Sequence, residues 1–421
     1  MESEDIDRRG EFIVNKYVVK KTEIAFWILI TGIWSALYWT QCVIKDTGDF
    51  FCHNAFAKLV VEGKLILVYP IYHILVGVLA KITGLLETEA SVFILVFAQI
   101  LSIIVMAEII KQLSDVWKNN MEILAVSFML NIVQPIFFNN YKPGASSGNG
   151  LFSPTLTMVK PFALLSILLF YKMYRDKDYG IKKQILFFTA LLSTCLIKPM
   201  FTMAFIPAAG ILLLIETINN VRADKADLVR NFAGFIIRIM PMIIIGIVLI
   251  AQFIFTSIYD VPVDALPAGV TLSSDKNSHI RIGYMRSWSL AVDNVYISLL
   301  LTYLFPLVVL AVIIFYGYRN NIRVYDSAKT KLKSFRDITI SYGIVSFFYM
   351  AFLYQEGKEI DMNFRNAWVV TFNLIYIFAF VYLAEIKKSV GKRSALINLS
   401  YIVWGIHLLF GVALITKYII G

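Results

Sequence analysis

The sequence predicts an all-α, polytopic membrane protein of about eleven transmembrane helices, with interfacial helices in its first external loop. Three observations lead there. Of 421 residues, 58% are hydrophobic and 16% charged, and mean hydropathy is +0.71; soluble domains run about 45–50% apolar and about 25% charged. The apolar residues come in blocks of roughly twenty, the length that crosses a ~30 Å hydrocarbon layer as a helix. Between the blocks, positive charge gathers in short loops, as an orientation signal does. Lipid offers the backbone no hydrogen-bond partner, so each block must be helical.

The first block, 22–44, follows a polar segment, 1–21, and has no small-residue cleavage site after it. It reads as an uncleaved signal-anchor with a cytoplasmic N-terminus. An amphipathic stretch at 50–62 and an apolar one at 65–82 come next. Full spans are expected at 91–113, 122–138, 156–174, 185–199, 201–218, 232–257, 295–316, 338–354, 367–384 and 397–420.

Loop charge fixes the parity. Arg8, Arg9, Lys16, Lys20 and Lys21 precede the first span; later basic clusters run from Lys172 to Lys183, Arg222 to Arg230, Arg319 to Arg336 and Lys387 to Arg393. If 65–82 crosses the membrane, every later cluster falls outside. If it only dips in, or lies along the outer interface, all fall inside. That single assumption repairs four loops and puts the C-terminus outside. The chain is then one transmembrane domain, 1–421, with a cytoplasmic segment 1–21, a first external loop 45–84 and no soluble domain. The formal net charge of +10 is absorbed by these loops, and no nucleic-acid partner is expected. Cys42, Cys52 and Cys195 form no CxxC pair and are expected as free thiols.

The external loops, 45–64, 139–154, 259–294 and 355–366, are rich in Asp, Asn, Gly and aromatic residues, and loops on a rigid scaffold are where binding and catalysis concentrate. The first carries Asp46, Asp49 and His53 and leads to Tyr69-Pro-Ile-Tyr72-His73. On a helix Asp49 and His53 share a face, while Phe56, Leu59 and Val60 give that helix a membrane-facing side. A carboxylate held there can deprotonate an acceptor hydroxyl; equally, Asp46 or Asp49 can be a plain N-cap. Lys160-Pro161 and Lys198-Pro199 fall at the outer ends of helices. Two lysines at one depth can hold a lipid phosphate, or can simply snorkel to the interface. The 355–366 loop offers Glu356, Asn363 and Arg365 for sugar hydroxyls and phosphate, or is an ordinary solvated loop. The longest loop adds Asp260, Asp264, His279, Arg281 and Arg286, with Arg286 a phosphate-ligand candidate. Walker A, GxGxxG, HExxH and GxSxG motifs are absent, so ATP-driven transport, nucleotide-cofactor chemistry and zincin hydrolysis have no support.

The cytoplasmic start, single span, external Asp with a His four residues on, interfacial helix ending in Gly, and Tyr-Pro-x-Tyr-His step resemble the integral-membrane glycosyltransferases of the GT-C class. The mannosyltransferase-like and aminoarabinose-transferase-like members are nearest in style. The resemblance covers the helix count and residues 46–84; Lys160-Pro161 and the Asn363-Phe-Arg365 loop match only in character. It implies transfer of a sugar from a polyprenyl-phosphate donor to a saccharide or lipid-linked acceptor of the cell envelope, on the extracytoplasmic face. It further implies Asp49, or else Asp46, as the base. His53, Tyr69, His73, Lys160, Lys198, Arg286, Glu356, Asn363 and Arg365 are the expected substrate-binding residues. Many members also have a soluble C-terminal domain, which this chain departs from, leaving the acceptor class open. No metal is required, although Asp46 and Asp49 have the oxygen ligands for one hard divalent cation.

Two other classes stay open. An O-antigen or capsule polymerase would rely on Arg281 and Arg286. A non-enzymatic flippase of lipid-linked saccharides would need polar residues deep in the spans, which the sequence shows only sparsely. High Ile, Lys, Asn and Phe usage points to an AT-rich bacterial genome, and so to a bacterial plasma membrane.

Overall fold

The computed structural model describes residues 3–46, 48–136, 151, 153–223, 228–258, 279–289, 292–320, 326–356, 360–361, 368–390 and 394–420. Helix α1 (Ser3–Trp39) runs from the polar N-terminal segment into the first apolar block and passes into a π-helical turn, Thr40–Lys45. Asp46 closes that turn with a left-handed backbone (φ 37°), donating its N–H to Gln41 O at 3.2 Å. Two thirteen-residue helices follow, α2 (Asp49–Val61) and α3 (Ile71–Thr83). Gly63 and Gly84 turn the chain after them at φ 71° and 74°, where a Cβ would be strained.

The remaining helices are α4 (Glu87–Leu113), α5 (Asn120–Ile132), α6 (Pro154–Asp176), α7 (Ile181–Ile197), α8 (Met200–Ala223), α9 (Leu228–Ile258), the single turn α10 (Arg286–Ser289), α11 (Val295–Asn320), α12 (Asp326–Phe352), α13 (Trp368–Val390) and α14 (Ala395–Ile420). Three short strands, β1 (His279–Ile282), β2 (Leu353–Glu356) and β3 (Ile360–Asp361), form an antiparallel sheet in that order. No strand was expected from the sequence.

Eight helical stretches among the described residues are long and apolar enough to cross a membrane: 21–45 and those of α4, α6, α8, α9, α11, α13 and α14. This makes the chain a multi-pass membrane protein. The expected count of eleven is not reached by that measure. Helices α5 and α7 occupy expected spans but have only 13 and 17 residues. Helix α12 has 27 residues, but carries Lys331, Lys333, Arg336 and Asp337.

Contacts sort the helix termini into two ends. At the near end, Gln41 Nε2 donates to Tyr418 O (2.8 Å), Tyr72 Oη to Ser91 Oγ (3.0 Å), Gln252 Nε2 to Val68 O (2.7 Å) and Tyr349 Oη to Met203 O (3.3 Å). These join the turn after α1 to the end of α14, the start of α3 to that of α4, the end of α9 to the chain before α3, and the end of α12 to the start of α8. At the far end, Lys172 pairs with Glu108 (3.0 Å), Lys331 with Asp115 (3.2 Å), and Ser114 Oγ donates to Glu385 Oε1 (2.5 Å). The chain therefore leaves α1 and enters α4 at the same end, with α2 and α3 packed between as a hairpin.

Phe170, Phe187, Phe205 and Tyr342 centre one core cluster; Trp34, Tyr38, Tyr72 and Leu95 centre another. Outward faces are apolar too. On α9, Ile247, Ile250 and Phe253 are 61–62% exposed, as a lipid-facing helix requires. One expectation is corrected. Phe56 and Leu59 do not face outward; they are buried with Leu65 in a local cluster, because α2 lies under the chain that leads into α3.

Candidate functional site

The π-helical turn hands the chain to Asp46, and a chain of buried side chains holds that residue. Asn54 Nδ2 donates to Asp46 Oδ1 (3.2 Å), Ser91 Oγ to Asn54 Oδ1 (2.5 Å) and Tyr72 Oη to Ser91 Oγ (3.0 Å). Asn54, Ser91 and Tyr72 are all buried. Buried polar groups must be bonded, so this chain fixes the first loop to α3 and α4. Asp49 opens α2 and is 51% exposed; its Oδ2 lies 4.0 Å from His53 Nε2, on the helix face the i, i+4 spacing predicts.

His53 reaches across to α3. Its Nδ1 is 2.8 Å from Nε2 of the fully buried His73, so one ring donates and the other accepts. Burial and the Lys198 charge push His53 down to about 3. Burial and the neighbouring His53 hold His73 well below the usual imidazole range. Both rings are therefore neutral at neutral pH. The Tyr69 main chain lies against His73. The close approach of α2 and α3 depends on Gly77: a Cβ there would sit 2.3 Å from Val61 Cγ2 and 2.6 Å from Ala57 O.

Lys198 caps the C-terminus of α7, and its Nζ donates to Thr155 Oγ1 (3.3 Å) in the first turn of α6; Ser153 Oγ lies 3.3 Å from the same hydroxyl. Asp46, Asp49, His53, His73 and Lys198 thus meet at the near end. Lys160 does not share their depth, contrary to expectation. It lies five residues beyond Thr155, about 7.5 Å further along α6 at ~1.5 Å per residue. It is 1% exposed, and its Nζ donates to Asn131 Oδ1 (2.5 Å). Asn131 Nδ2 donates to Gln99 Oε1 (2.8 Å), Gln99 Nε2 to Tyr38 Oη (2.7 Å), and Tyr38 Oη lies 3.3 Å from Thr157 Oγ1. Snorkelling fails here because a polar chain inside the bundle offers the ammonium a nearer partner than water.

Sequence reasoning missed Asn54, Ser91 and Thr155 at the site and Tyr38, Gln99 and Asn131 below it. The available signal was a polar side chain interrupting an apolar block. Arg281 and Arg286 are exposed near the sheet, which the C-terminus of α12 carries at the near end. Glu356 lies on β2 with its backbone opposite His279. Asn363 and Arg365 fall outside the described residues, as does 139–150. All three cysteines are free. Among the described residues, no group of three or more His, Cys, Asp or Glu is placed to hold a metal ion.

An apolar groove of about 630 Å³ opens between α1 and α4, lined by Trp39, Thr40, Val92, Phe93, Val96 and Phe97 among others. Its upper rim, Thr40 and Val92, adjoins in sequence the turn that leads to Asp46 and the Ser91 that anchors Asn54. Comparison with models of known protein families, with curated proteins and with solved structures found no match.

Proposed function

We propose that this protein is a membrane glycosyltransferase that moves a sugar from a polyprenyl-phosphate donor to a saccharide or lipid-linked acceptor of the cell envelope. The carrying observation is convergence: two carboxylates, a neutral histidine pair and a lysine, drawn from four segments, meet at one end of the bundle beside a lipid-open groove. The groove takes the prenyl tail, and Lys198 faces the donor phosphate. Asp49 is the base, because Asp46 is already engaged by Asn54 whereas Asp49 is open to an incoming hydroxyl. In the transfer, the acceptor oxygen bonds to the sugar's anomeric carbon as its proton passes to Asp49. The anomeric carbon–phosphate oxygen bond breaks, and its electron pair leaves with the lipid phosphate. His53 and His73 hold the floor of the site without adding charge. The full reading has eleven spans, the N-terminus inside and the site outside.

A second reading, a carrier of lipid-linked saccharides, draws on the Lys160–Asn131–Gln99–Tyr38 chain, the deep polarity such a carrier needs. The polymerase reading has only the exposure of Arg281 and Arg286.

The test is a transfer assay on purified protein in lipid, with labelled polyprenyl-phosphate sugars and an envelope acceptor extract. Wild type, Asp49→Asn, Asp46→Asn and Arg286→Ala are run together. Transfer lost in Asp49→Asn, with the protein still folded, supports the proposal. Normal transfer in both Asp variants with loss in Arg286→Ala selects the polymerase. Movement of labelled lipid between leaflets without a new glycosidic bond selects the carrier.

A further inference from the structure

At the far end, α6, α8 and α9 meet around a pocket of about 600 Å³, lined by Lys177, Tyr179, Glu216, Asn220, Arg230 and Arg238 among others. Glu216 stands between two of the cations: Lys177 Nζ is 2.7 Å from Oε2 and Arg238 Nη1 is 3.0 Å from Oε1. Two cationic side chains thus share one carboxylate.

Arg238 is held from behind. Its Nε donates to Gly234 O (3.0 Å), its Nη2 to Thr217 Oγ1 (3.5 Å), and its guanidinium lies 5.4 Å from the Tyr179 ring centroid. With the Glu216 contact, these bonds engage three of the five N–H donors of the guanidinium among the described residues. The side chains of Arg238 and Glu216 are each 12% exposed, so the pair is fixed rather than trailing in solvent. Gly234 lines the mouth, where a Cβ would come no nearer to Arg238 Nη2 than 3.8 Å. Beside the pocket, α9 turns Phe232 and Ile237 outward at 58% and 59% exposure. A fixed guanidinium, a half-exposed ammonium and an apolar wall at a bundle end together fit one kind of ligand. It carries a phosphate with net negative charge on acyl chains.

We propose that this pocket binds the phosphate-bearing headgroup of an anionic membrane lipid, through Arg238 and Lys177. Glu216 is the built-in competitor: it occupies both cations when the lipid is absent. The site is independent of sugar transfer and lies at the opposite end of α6 from Lys198.

Full-length protein purified in detergent is loaded with dioleoyl phosphatidylglycerol or dioleoyl phosphatidylcholine, and retained lipid is counted by native mass spectrometry. Phosphatidylglycerol should be retained about tenfold more tightly than phosphatidylcholine, whose choline cancels the phosphate charge. Arg238→Gln and Lys177→Gln should each weaken it about tenfold. Lys177 is 53% exposed, so its variant keeps the test alive if Arg238→Gln fails to fold. Glu216→Gln should tighten binding, a sign that a merely structural carboxylate would not give. Retention unchanged in both cation variants, or weakened in Glu216→Gln, would overturn the site. Inorganic phosphate displacing the lipid at equal concentration would overturn the lipid as its occupant.

Discussion

The two ends of α6 handle charge in opposite ways. At the far end carboxylates are answered by cations at short range: Glu108 by Lys172 (3.0 Å), Asp176 by Arg175 (2.6 Å), Asp178 by Lys183 (2.6 Å), Glu216 by Lys177 (2.7 Å). At the near end Asp46 is answered by an amide and Asp49 only by an imidazole at 4.0 Å, while Lys198 donates to a hydroxyl. Pairing neutralises charge cheaply in a solvated region. Holding two carboxylates beside neutral histidines, with no ammonium or guanidinium pairing either carboxylate among the described residues, costs stability, and that arrangement is characteristic of sites that meet a ligand.

The largest effect expected from this contrast is on activity. Asp49→Asn keeps the side chain's shape and removes the base, and should lower transfer by about 10³-fold. Asp178→Asn, a solvated far-end carboxylate, should leave transfer within about twofold. Equal losses in the two would erase the distinction between the ends. Next comes the packing that builds the near end. Gly77→Ala should push α3 off α2, separate His53 from His73 and cost about 1–3 kcal/mol. Thermal unfolding and the transfer rate should fall together. An unchanged rate would mean that the histidine pair is not part of the machinery.

The two lysines, Lys160 within α6 and Lys198 against its first turn, sharpen the comparison. Lys160→Met leaves Asn131 without its buried donor and should cost about 2 kcal/mol of stability, with the apparent KM for the lipid donor unchanged. Lys198→Met should do the reverse, raising that KM about tenfold with little loss of stability. If Lys160→Met raises KM instead, the deep polar chain is in contact with substrate and the carrier reading gains.

How much of this was legible in the sequence follows from which forces are local. Apolar blocks located most helix ends within about six residues, because burial in lipid is read directly from composition; α1 and α12 start well before their expected spans at 22 and 338, in the polar stretches from Ser3 and Asp326. The i, i+4 spacing of Asp49 and His53 gave their shared face. The positions of the basic loops required only that 65–82 should not cross the membrane; that α2 and α3 pack as a hairpin was not read from them. Long-range pairing stayed hidden. Nothing near Lys160 in sequence announces Asn131, and nothing near His53 announces a ring-to-ring contact with His73. The π-helical turn is equally silent: its Thr40 and Gln41 side chains bond to the distant end of α14, at Ile419 O and Tyr418 O. Phe56 and Leu59 misled because an apolar stripe covers a neighbouring helix as readily as it meets lipid.

Acid should separate the ends by pH. His53 has a folded-state value pushed down to about 3 from 6.5, so between these the unfolded chain binds the proton more readily. Its stabilising effect is complete above about pH 6.5 and is lost as pH falls toward about 3, which amounts to about 1 kcal/mol by about pH 5.5. His73 is lowered by the same burial and acts in the same direction. At the far end, the hydrogen bond from Lys183 holds Asp178 below the usual carboxylate range, so its contribution is present above about pH 4 and lost only below it. The midpoint of thermal unfolding in detergent should therefore drop between about pH 7.5 and about pH 5.5. In His53→Gln that drop should shrink, because one of the two depressed rings is gone while burial still holds His73 low. A drop of the same size in His53→Gln would place the pH-sensitive group elsewhere and remove the neutral histidine pair as the feature that sets the near end apart.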